Sequence, residues 1–566
     1  MKEQQKKKAA PVLVVLILIV LVGAAGVGSF LINRYKPGTE YMAGNEYFNL
    51  TDENSVALIQ NGELLEEQAV LIGGEPYAAY TYVESQLNSC FYWDEETKGI
   101  LLTTSGGVQT LLPGDAAVAK TPGGQPAVQQ ESDGKVYISL DVVKEYTDLD
   151  YAYYSDPNRV VIRNEWDGVE QATVQSGTAQ VRQKGGIKSL ILADVQKGDI
   201  LLYLENLDNW CKVMTADGYT GYIQTEDISE PEAIEARTAK KDSYERITRD
   251  HKINLVWHQS TSTESNDAMA EMTAEMTGVN VISPTWFSVT DGTGTISSLA
   301  SADYVKLTHE AGREVWGLID NFNEAFDETT DLAYASVRSR IIEQLLAEAA
   351  SCGMDGINVD FENLKEAGIP HYLQFLRELT SAAHAQNLVV SVDTPVPQAY
   401  TMYYQRGEQA RFVDYMIVMA YDEHFAGSEE AGSVSSLPFV QQAVEEMTRV
   451  MPADQVICGI PFYTRVWTEK FGQSAITSEV LGMDGAKNYA KENQMTETWD
   501  ASLGQNVATV ETSDARYTIW MEDEQSMEEK LKVIQSADLA GVAEWKLGFE
   551  CADVWSLISE YIETNS

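Results

Sequence analysis

The chain has 566 residues and the composition of globular protein, with 44% apolar and 22% charged residues. Its length exceeds what one hydrophobic core holds, so we expect three or four domains. With 86 acidic against 40 basic residues the formal net charge is −46, which argues against nucleic acid as a partner because phosphates repel such a surface. The five cysteines occur singly with no CxxC pair, so neither a disulfide framework nor a zinc site is indicated.

The N-terminus is basic and then apolar. Several lysines precede an apolar run at 11–32 whose only polar side chain is Ser29. A run of this length can cross a bilayer, and lysines before it favour a cytoplasmic N-terminus. The sequence therefore predicts a cytoplasmic tail at 1–10, a transmembrane helix at 11–32 and all later domains outside a cell membrane. A cleaved signal peptide is the alternative, which the length of the run and its poor cleavage site disfavour.

Between residues 40 and 165 short apolar strands alternate with Gly, Asn and Asp turns, and one pattern occurs twice. Segment 93–102 aligns with 154–163, and each copy follows a helix-like stretch, at 80–87 and at 140–146. Two similar strand-helix-hairpin units are therefore predicted. They resemble the small repeats named after the N-terminal domain of copper amine oxidase, without a cluster of copper ligands. The resemblance implies a spacer or a wall-binding module.

A second region of short strands and glycine turns covers residues 172–228. It closes with the hairpin sequence Asp217-Gly-Tyr-Thr-Gly221-Tyr222, and this spacing resembles a bacterial SH3-like domain. The resemblance implies either the binding of wall peptides or a passive barrel. Residues 229–250, rich in Glu, Ala and Lys, are predicted to form a linker or a docking helix.

From residue 251 to 566 apolar strands alternate with helical stretches about eight times, a pattern typical of a parallel sheet closed by helices. A (β/α)8 barrel is therefore predicted. Its strands are predicted at Ile253–His258, Val279–Phe287, Glu314–Asn321, Gly356–Glu362, Leu388–Thr394, Tyr415–Tyr421, Val456–Tyr463 and Gly541–Leu547. Active sites of this fold lie at the C-terminal ends of the strands, so the polar residues at those ends are the candidates.

The fourth predicted strand ends in acids that a buried strand does not otherwise tolerate. Because strand side chains alternate, Asn358, Asp360 and Glu362 point to one face and the apolar residues between them to the other. The two carboxylates lie roughly 7 Å apart at their Cα atoms, close enough for one to raise the pKa of the other. Glu362, at the end of the strand, is then the better placed general acid. For this pair alone, a chance acidic strand end or a divalent-metal site is the alternative.

The stretch Asp355-Gly-x-Asn358-x-Asp360-x-Glu362 resembles the DGxDxDxE signature of glycoside hydrolase family 18, the chitinase-like enzymes. Asn358 stands where chitinases usually have the first inner aspartate, which weakens any proton relay along the strand. This variant looks like the spore-cortex and cell-wall branch of the family.

Three later strand ends are also similar to motifs of this family. Tyr421 and Asp422 end the sixth strand and match MxYD, while Tyr463 and Arg465 end the seventh and are similar to GxPxYGR. Trp545 ends the eighth strand, where the family places a tryptophan under the sugar. Any one of these alone is more often part of the core. Four motifs in the right order indicate a site.

The resemblance implies a mechanism that needs no metal or organic cofactor, because the substrate's own 2-acetamido group attacks the anomeric carbon. Glu362 would protonate the glycosidic oxygen, Asp360 would orient the acetamido group, and Tyr421 would hold its oxygen. Substrate-binding or supporting roles are implied for Asp355, Asn358, Asp422, Tyr463, Arg465 and Trp545.

The expected activity is hydrolysis of β-1,4 bonds next to N-acetylglucosamine in peptidoglycan, either of the growing wall or of spore cortex. Two alternatives stay open, a chitinase or chitin-oligosaccharide hydrolase and a non-catalytic carbohydrate-binding wall protein. Glu362 favours an enzyme, because binding-only proteins of this family commonly lose the terminal glutamate.

Overall fold

The structure is a computed structural model that describes residues 2–50, 52–234 and 244–563, without the side chains of 2–13, 31–33 and 563. The chain forms two compact units. The first unit comprises Met1–Ser89 and Pro113–Lys241, and the second comprises Cys90–Leu112 and Asp242–Ser566. The domain boundaries drawn from the sequence remain predictions. Residues 235–243 of the predicted linker lie outside the described part of the chain.

Helix α1 (Lys2–Tyr35) opens the chain. Within the described residues no helix combines the length and the apolar content of a membrane span. The predicted transmembrane helix at 11–32, and the single-pass cell-membrane location inferred from it, are therefore wrong. The predicted tail at 1–10 falls on residues whose side chains are not described.

Residues 44–163 form short strands and helices. In chain order these are α2 (Gly44–Tyr47), β1 (Ser55–Gln60), β2 (Glu63–Ile72), β3 (Glu75–Ala79), α3 (Tyr80–Tyr82), β4 (Phe91–Asp94), β5 (Gly99–Thr104), β6 (Gly107–Leu111), β7 (Val128–Gln130), β8 (Val136–Ser139), α4 (Leu140–Tyr146), β9 (Asp150–Tyr154) and β10 (Arg159–Arg163). The succession of strand, helix and hairpin occurs twice, as β3-α3-β4-β5 and as β8-α4-β9-β10. The likeness to copper amine oxidase repeats stays a prediction.

The two hairpins belong to different units. The second hairpin joins a seven-stranded sheet of order β7-β8-β3-β2-β1-β10-β9, in which β1 and β10 are parallel. The first hairpin instead forms a separate three-stranded sheet, β4-β5-β6, that is part of the second unit. We call this segment, residues 90–112, the strap.

The SH3-like region is a seven-stranded sheet of order β13-β12-β16-β15-β14-β11-β17. Its strands are β11 (Glu170–Thr173), β12 (Thr178–Arg182), β13 (Ile191–Gln196), β14 (Ile200–Leu207), β15 (Trp210–Met214), β16 (Thr220–Gln224) and β17 (Glu232–Ala233). Gly221 of the predicted closing hairpin is needed here, because a Cβ atom at this position would lie 2.5 Å from the carbonyl oxygen of Arg182.

The C-terminal region alternates strands and helices. In chain order these are β18 (Ile253–His258), α5 (Thr263–Met272), β19 (Val281–Val289), β20 (Ile296–Ser298), α6 (Ala302–Glu310), β21 (Glu314–Asp320), α7 (Ala335–Cys352), β22 (Gly356–Asp360), α8 (Ile369–His384), β23 (Val389–Pro395), α9 (Arg406–Gln409), β24 (Tyr415–Met419), α10 (Leu437–Val450), β25 (Val456–Pro461), β26 (Tyr463–Lys470), β27 (Ile476–Gly482), α11 (Met483–Glu492), β28 (Thr496–Asp500), β29 (Gln505–Glu511), β30 (Ala515–Trp520), α12 (Glu524–Ser536), β31 (Gly541–Trp545) and α13 (Val554–Glu563).

Eight parallel strands close into the predicted barrel. Their order is β18-β31-β25-β24-β23-β22-β21-β19, and β19 pairs back with β18. Each strand begins and ends within two residues of its predicted bounds. Leu255, Trp316 and Ile417 fill the interior of the barrel, whereas Val256, Ile357 and Val418 pack outward against the helices. The fourth, sixth, seventh and eighth strands thus carry the candidate residues at one end of the barrel.

An antiparallel sheet of order β27-β26-β30-β29-β28 is inserted after the seventh barrel strand. Its first strand, β26, begins with Tyr463 and contains Arg465. The insertion therefore supplies two of the predicted site residues.

The strap packs on the helical layer of the barrel. Asp94 of β4 and Arg338 of α7 are both fully buried, and Arg338 Nη2 lies 3.3 Å from Asp94 Oδ2. Arg338 Nε also donates to both carboxylate oxygens of Glu378 on α8, at 3.1 Å. Asp94 Oδ2 accepts from the backbone N–H of Ala335, the first residue of α7, at 3.1 Å. A residue far upstream in the sequence therefore completes the barrel's outer layer.

Candidate active site

Three carboxyl groups form one row across adjacent strands at the C-terminal end of the barrel. Asp320 of β21 pairs in register with Asp360 of β22. The pairing of Val359 with Val392 places Asp393 of β23 beside Asp360 on the other side. Neighbouring strands lie roughly 4.8 Å apart, so the three acids are close neighbours. Asp360 and Asp393 are 6% and 4% exposed, which makes this row a buried acidic cluster.

The fourth strand has the alternation predicted from the sequence. Ile357, Val359 and Phe361 pack outward into the core beneath the helices. Asn358 lies on the inner side, where its Oδ1 accepts from Trp257 Nε1 at 3.0 Å. Asp360, two residues on, shares that inner face.

Asp360 is buried without a hydrogen-bond partner for its Oδ1 atom among the described residues. Burial raises the pKa of this carboxyl well above its ordinary value, and the charges of Asp393, Glu362 and Asp320 raise it further. Desolvation and like charges both favour the neutral form of an acid. Asp360 is thus a carboxyl that lacks the partners buried polar groups usually have.

Glu362 is half-buried and its backbone is held on both sides by one side chain. Its N–H donates to Asn321 Oδ1 at 2.9 Å, and Asn321 Nδ2 donates to its carbonyl oxygen at 3.0 Å. Burial raises the pKa of the Glu362 carboxyl, and the charges of Asp422 and Asp320 add to the rise. A carboxyl that is carried by a fixed backbone and inclined to keep its proton suits a general acid.

We call the two hydrogen bonds between Asn321 and the backbone of Glu362 the Asn321 clamp, and removing them should slow catalysis. We expect Asn321→Ala to lower kcat by about tenfold to a hundredfold, because a displacement of about 1 Å in a catalytic group costs this much. Steady-state kinetics on a cleaved glycan measure the effect. Asn323→Ala, on an exposed residue of the same loop, is the matched control and should keep wild-type kcat. Wild-type kcat in Asn321→Ala would show that the clamp is dispensable.

Tyr421, Asp422 and Tyr463 meet at the ends of the sixth and seventh strands. The hydroxyl of Tyr463 donates to Asp422 Oδ1 at 2.5 Å, and its ring centroid lies 6.3 Å from that of Tyr421. Burial raises the pKa of the Tyr421 hydroxyl, and the charges of Asp393 and Asp360 add to the rise. A neutral hydroxyl can donate a hydrogen bond to a substrate oxygen. Arg465 lies in the same group, and its Nη1 donates to Ser478 Oγ at 3.0 Å.

Two tryptophans lie beside this group. The rings of Trp257 and Trp545 have centroids 5.9 Å apart, and Trp257 lies 6.3 Å from Tyr421. Trp545 is partly exposed, whereas Trp257 is 1% exposed. Trp545 is therefore available to a sugar ring, with Trp257 packed against it.

Asp355 is not brought into the site. It precedes β22 at the opposite end of the barrel, and its Oδ2 accepts from the Val315 N–H and lies 2.8 Å from His309 Nε2. Seven residues of strand put it roughly 20 Å from Glu362. The predicted role of Asp355 in substrate binding, or in supporting Asp360, is therefore wrong: it ties the start of the fourth strand to the third.

The sequence analysis missed Trp257, Asn321, Asp320 and Asp393. Trp257 lies inside a predicted apolar strand and Asn321 lies at a predicted strand end, where Trp and Asn have ordinary structural roles. Asp393 had a usable signal, since alternation in β23 places it on the same face as Ser391, which pairs with Asn358.

Comparison with protein families gives the barrel its identity. The family model for glycosyl hydrolases family 18 matches residues 292–550, and that for the bacterial SH3 domain matches residues 177–229. The barrel is a family 18 glycosidase domain. The chain also contains a bacterial SH3 domain.

Two curated relatives of the family 18 domain come from Bacillus subtilis (strain 168). The uncharacterized glycosylase YvbX is 25% identical over 275 residues, which cover 46% of this chain and 79% of that protein. The cortical fragment-lytic enzyme is 24% identical over 278 residues, 47% of this chain and 64% of that protein. The match thus spans less than two thirds of the cortical enzyme.

A solved structure shares the fold of the family 18 barrel. It is the C-terminal domain of a protein from Desulfitobacterium hafniense DCB-2 that carries the name chitinase. The two superpose with a TM-score of 0.51 at 20% sequence identity, over 55% of this chain and 100% of that one. At this identity the likeness supports the barrel fold alone.

Proposed function

We propose that the family 18 domain hydrolyses β-1,4 bonds next to N-acetylglucosamine in peptidoglycan by a retaining, substrate-assisted mechanism. The observation that carries the proposal is the buried Asp360 carboxyl, whose Oδ1 has no hydrogen-bond partner among the described residues. The charge of Glu362 raises the pKa of Asp360, and the charge of Asp360 raises the pKa of Tyr421, so Asp360 is a neighbour of both. The N–H of a substrate acetamido group would give Asp360 the partner it lacks.

The steps follow from these positions. Glu362 gives its proton to the glycosidic oxygen while the acetamido carbonyl oxygen attacks the anomeric carbon. Asp360 stabilises the positive charge that develops on the acetamido group, and Tyr421 donates to its oxygen before attack. Water then opens the oxazolinium ring as Glu362 takes up a proton, which restores the enzyme and retains the anomeric configuration.

Other carboxylates near Glu362 make an inverting mechanism the alternative. Asp320 and Asp422 both act on the pKa of Glu362, and either could activate a water molecule. Asp320 accepts hydrogen bonds from Ser288 Oγ and the Phe322 N–H, and Asp422 accepts from Tyr463. These bonds occupy the Oδ1 atom of each acid. The anomer released first decides between the retaining and the inverting mechanism. Proton NMR should show the β-anomer, and the α-anomer would mean inversion.

The choice of the glycosidic bond that is cleaved rests on the shape of the two sugars. Both sugars of peptidoglycan carry a 2-acetamido group, so the mechanism alone does not choose between them. Muramic acid also carries a lactyl ether at C3, usually with peptide, which a subsite lined by Trp545 admits poorly. N-acetylglucosamine fits better. The similarity to a cortical fragment-lytic enzyme supports a cell-wall glycan, and growing wall and spore cortex are both sources of it.

A digest of peptidoglycan with the purified full chain tests the proposal. After borohydride reduction, new glucosaminitol ends are expected, and they should be missing from a digest with Glu362→Gln. New muramitol ends would instead identify a muramidase. No new ends from peptidoglycan together with cleavage of chitin oligomers would identify a chitinase. Glycan binding without any new ends would identify a carbohydrate-binding protein.

The pH dependence of kcat/KM should report the raised pKa of Glu362. A general acid acts only while protonated, so activity should fall as pH rises through this pKa, above its ordinary value of 4.5. Because the charge of Asp422 contributes to the rise, Asp422→Asn should move the alkaline limb to lower pH. Glu366→Gln, on an exposed acid of the following loop, should leave the limb in place. If the alkaline limb is unchanged in Asp422→Asn, a group other than Glu362 controls it.

A further inference from the structure

The orientation of the Asn358 amide is fixed by its neighbours. Its Oδ1 accepts from Trp257 Nε1 at 3.0 Å and from Ser283 Oγ at 3.0 Å. Since an indole N–H can only donate, the atom that faces Trp257 must be the amide oxygen. The NH₂ group therefore points the other way, where Nδ2 donates to Asp393 Oδ1 at 2.9 Å. This oxygen of Asp393 acts as an acceptor, so any proton on Asp393 belongs on its other oxygen.

Asp393 is a buried acid without a place in the proposed reaction. It is 4% exposed and lies next to Asp360 in the carboxyl row. Burial raises the pKa of Asp393 well above its ordinary value; the charge of Glu362 adds to the rise, and hydrogen bonds from Asn358 and Trp257 oppose it. The other titratable groups around the pair are Asp320, Tyr372 and Tyr421.

No cation among the described residues acts on the pKa values of this pair. Among the described residues, only acids and burial shift the pKa of Asp360, and no lysine or arginine acts on Asp393. Two adjacent buried carboxylates that are not neutralised by a cation hold a proton between them. The family signature has a carboxyl at position 358, on the same strand as Asp360. Here that position is an amide, which cannot take up the proton.

We propose that Asp393 is the positioning residue of Asp360 and shares one proton with it, in place of the carboxyl that the signature has at position 358. It acts through Asp360 and does not touch the substrate. When the acetamido group binds, the O–H bond of Asp360 breaks and one forms on the Asp393 oxygen that does not accept from Asn358, with no net gain or loss of protons. Asp360 is then the anion that the developing positive charge requires. This catalytic role rests on the proposed function.

The proposal is tested by removing the carboxyl at position 393 and restoring one at position 358. Asp393→Asn is expected to lower kcat by about tenfold or more, on the scale of proton-transfer catalysis. The double variant Asn358→Asp/Asp393→Asn should recover kcat to within about threefold of wild type, since coupled sites are not additive. A purely structural role predicts no such recovery.

Two results would overturn the proposal. One is a wild-type kcat in Asp393→Asn, and the other is a folded double variant as slow as Asp393→Asn alone. If Asp393→Asn does not fold, the isosteric Asn358→Asp serves instead. It adds an acid within hydrogen-bond distance of Asp393, so the alkaline limb should move to higher pH, and an unmoved limb would count against the proposal.

A readout without substrate separates this inference from the proposed function. Infrared difference spectra at neutral pH detect the carbonyl stretch of a protonated carboxyl group. Wild type minus Asp393→Asn and wild type minus Asp360→Asn should both contain this band, and the double variant should regain it. Absence of the band from both spectra refutes proton sharing even in an active enzyme. Its presence in a wild-type protein that cleaves no glycan would refute the proposed function alone.

Discussion

Glu362→Gln is expected to lower kcat on peptidoglycan by at least about 10²-fold, the scale of general-acid catalysis. Gln keeps the size of the side chain, but it has no acidic proton to give to the leaving oxygen. The Asn321 clamp holds the backbone of Glu362 and does not involve the carboxyl, so the fold should be unaffected. Steady-state kinetics measure the loss, and thermal unfolding should give an unchanged Tm.

Two comparisons make this experiment decisive. Glu366→Gln changes an exposed glutamate four residues further on and should keep wild-type kcat. Asp360→Asn should also be severely slowed, because the acetamido group loses its charged partner. If Glu362→Gln turns over at the wild-type rate, the assignment of the general acid is wrong.

Arg338→Gln is expected to destabilise the second unit by about 3–5 kcal/mol, the usual cost of removing one partner from a buried ion cluster. Asp94 and Glu378, 0% and 8% exposed at their side chains, would face each other without the cation that both contact. A loss of this size lowers Tm by several degrees. Denaturant unfolding of the full chain, followed by tryptophan fluorescence, measures it.

A matched control lies on the same helix. Arg340 is exposed and bonded to Thr293 Oγ1, so Arg340→Gln should change the free energy of unfolding by less than about 1 kcal/mol. Adding Asp94→Asn to Arg338→Gln should recover part of the loss, because one unpaired charge is then removed. Equal stability of Arg338→Gln and wild type would mean that the cluster contributes nothing.

The sequence was sufficient for the barrel and for the catalytic strand because both depend on local periodicity. The eight strands are apolar segments of ordinary length, and Asp360 and Glu362 stand out since acids are costly in such segments. Alternation alone then placed Asn358 with them on the inner face. These features are fixed by residues that are neighbours in the chain.

Features that depend on pairing between distant segments were not predicted. The register of three strands brings Asp320 and Asp393 beside Asp360, and Asn321 reaches Glu362 across 41 positions. Asp355 was misplaced for the opposite reason. Its position in a signature was taken as nearness to the site, although the length of the strand separates it from Glu362.

The strap affects how this domain could be transferred between genes. The second unit is not one contiguous segment, because Asp94 supplies a carboxylate to its buried ion cluster. A gene fusion that copied only residues 242–566 would leave Arg338 paired with Glu378 alone. Replacing residues 113–241 would not touch this contact, but it would remove β7, β8, β9 and β10 from the sheet that they form with β1, β2 and β3. Barrels joined to other N-terminal modules should therefore carry a different residue in place of Arg338, or a carboxylate of their own beside it.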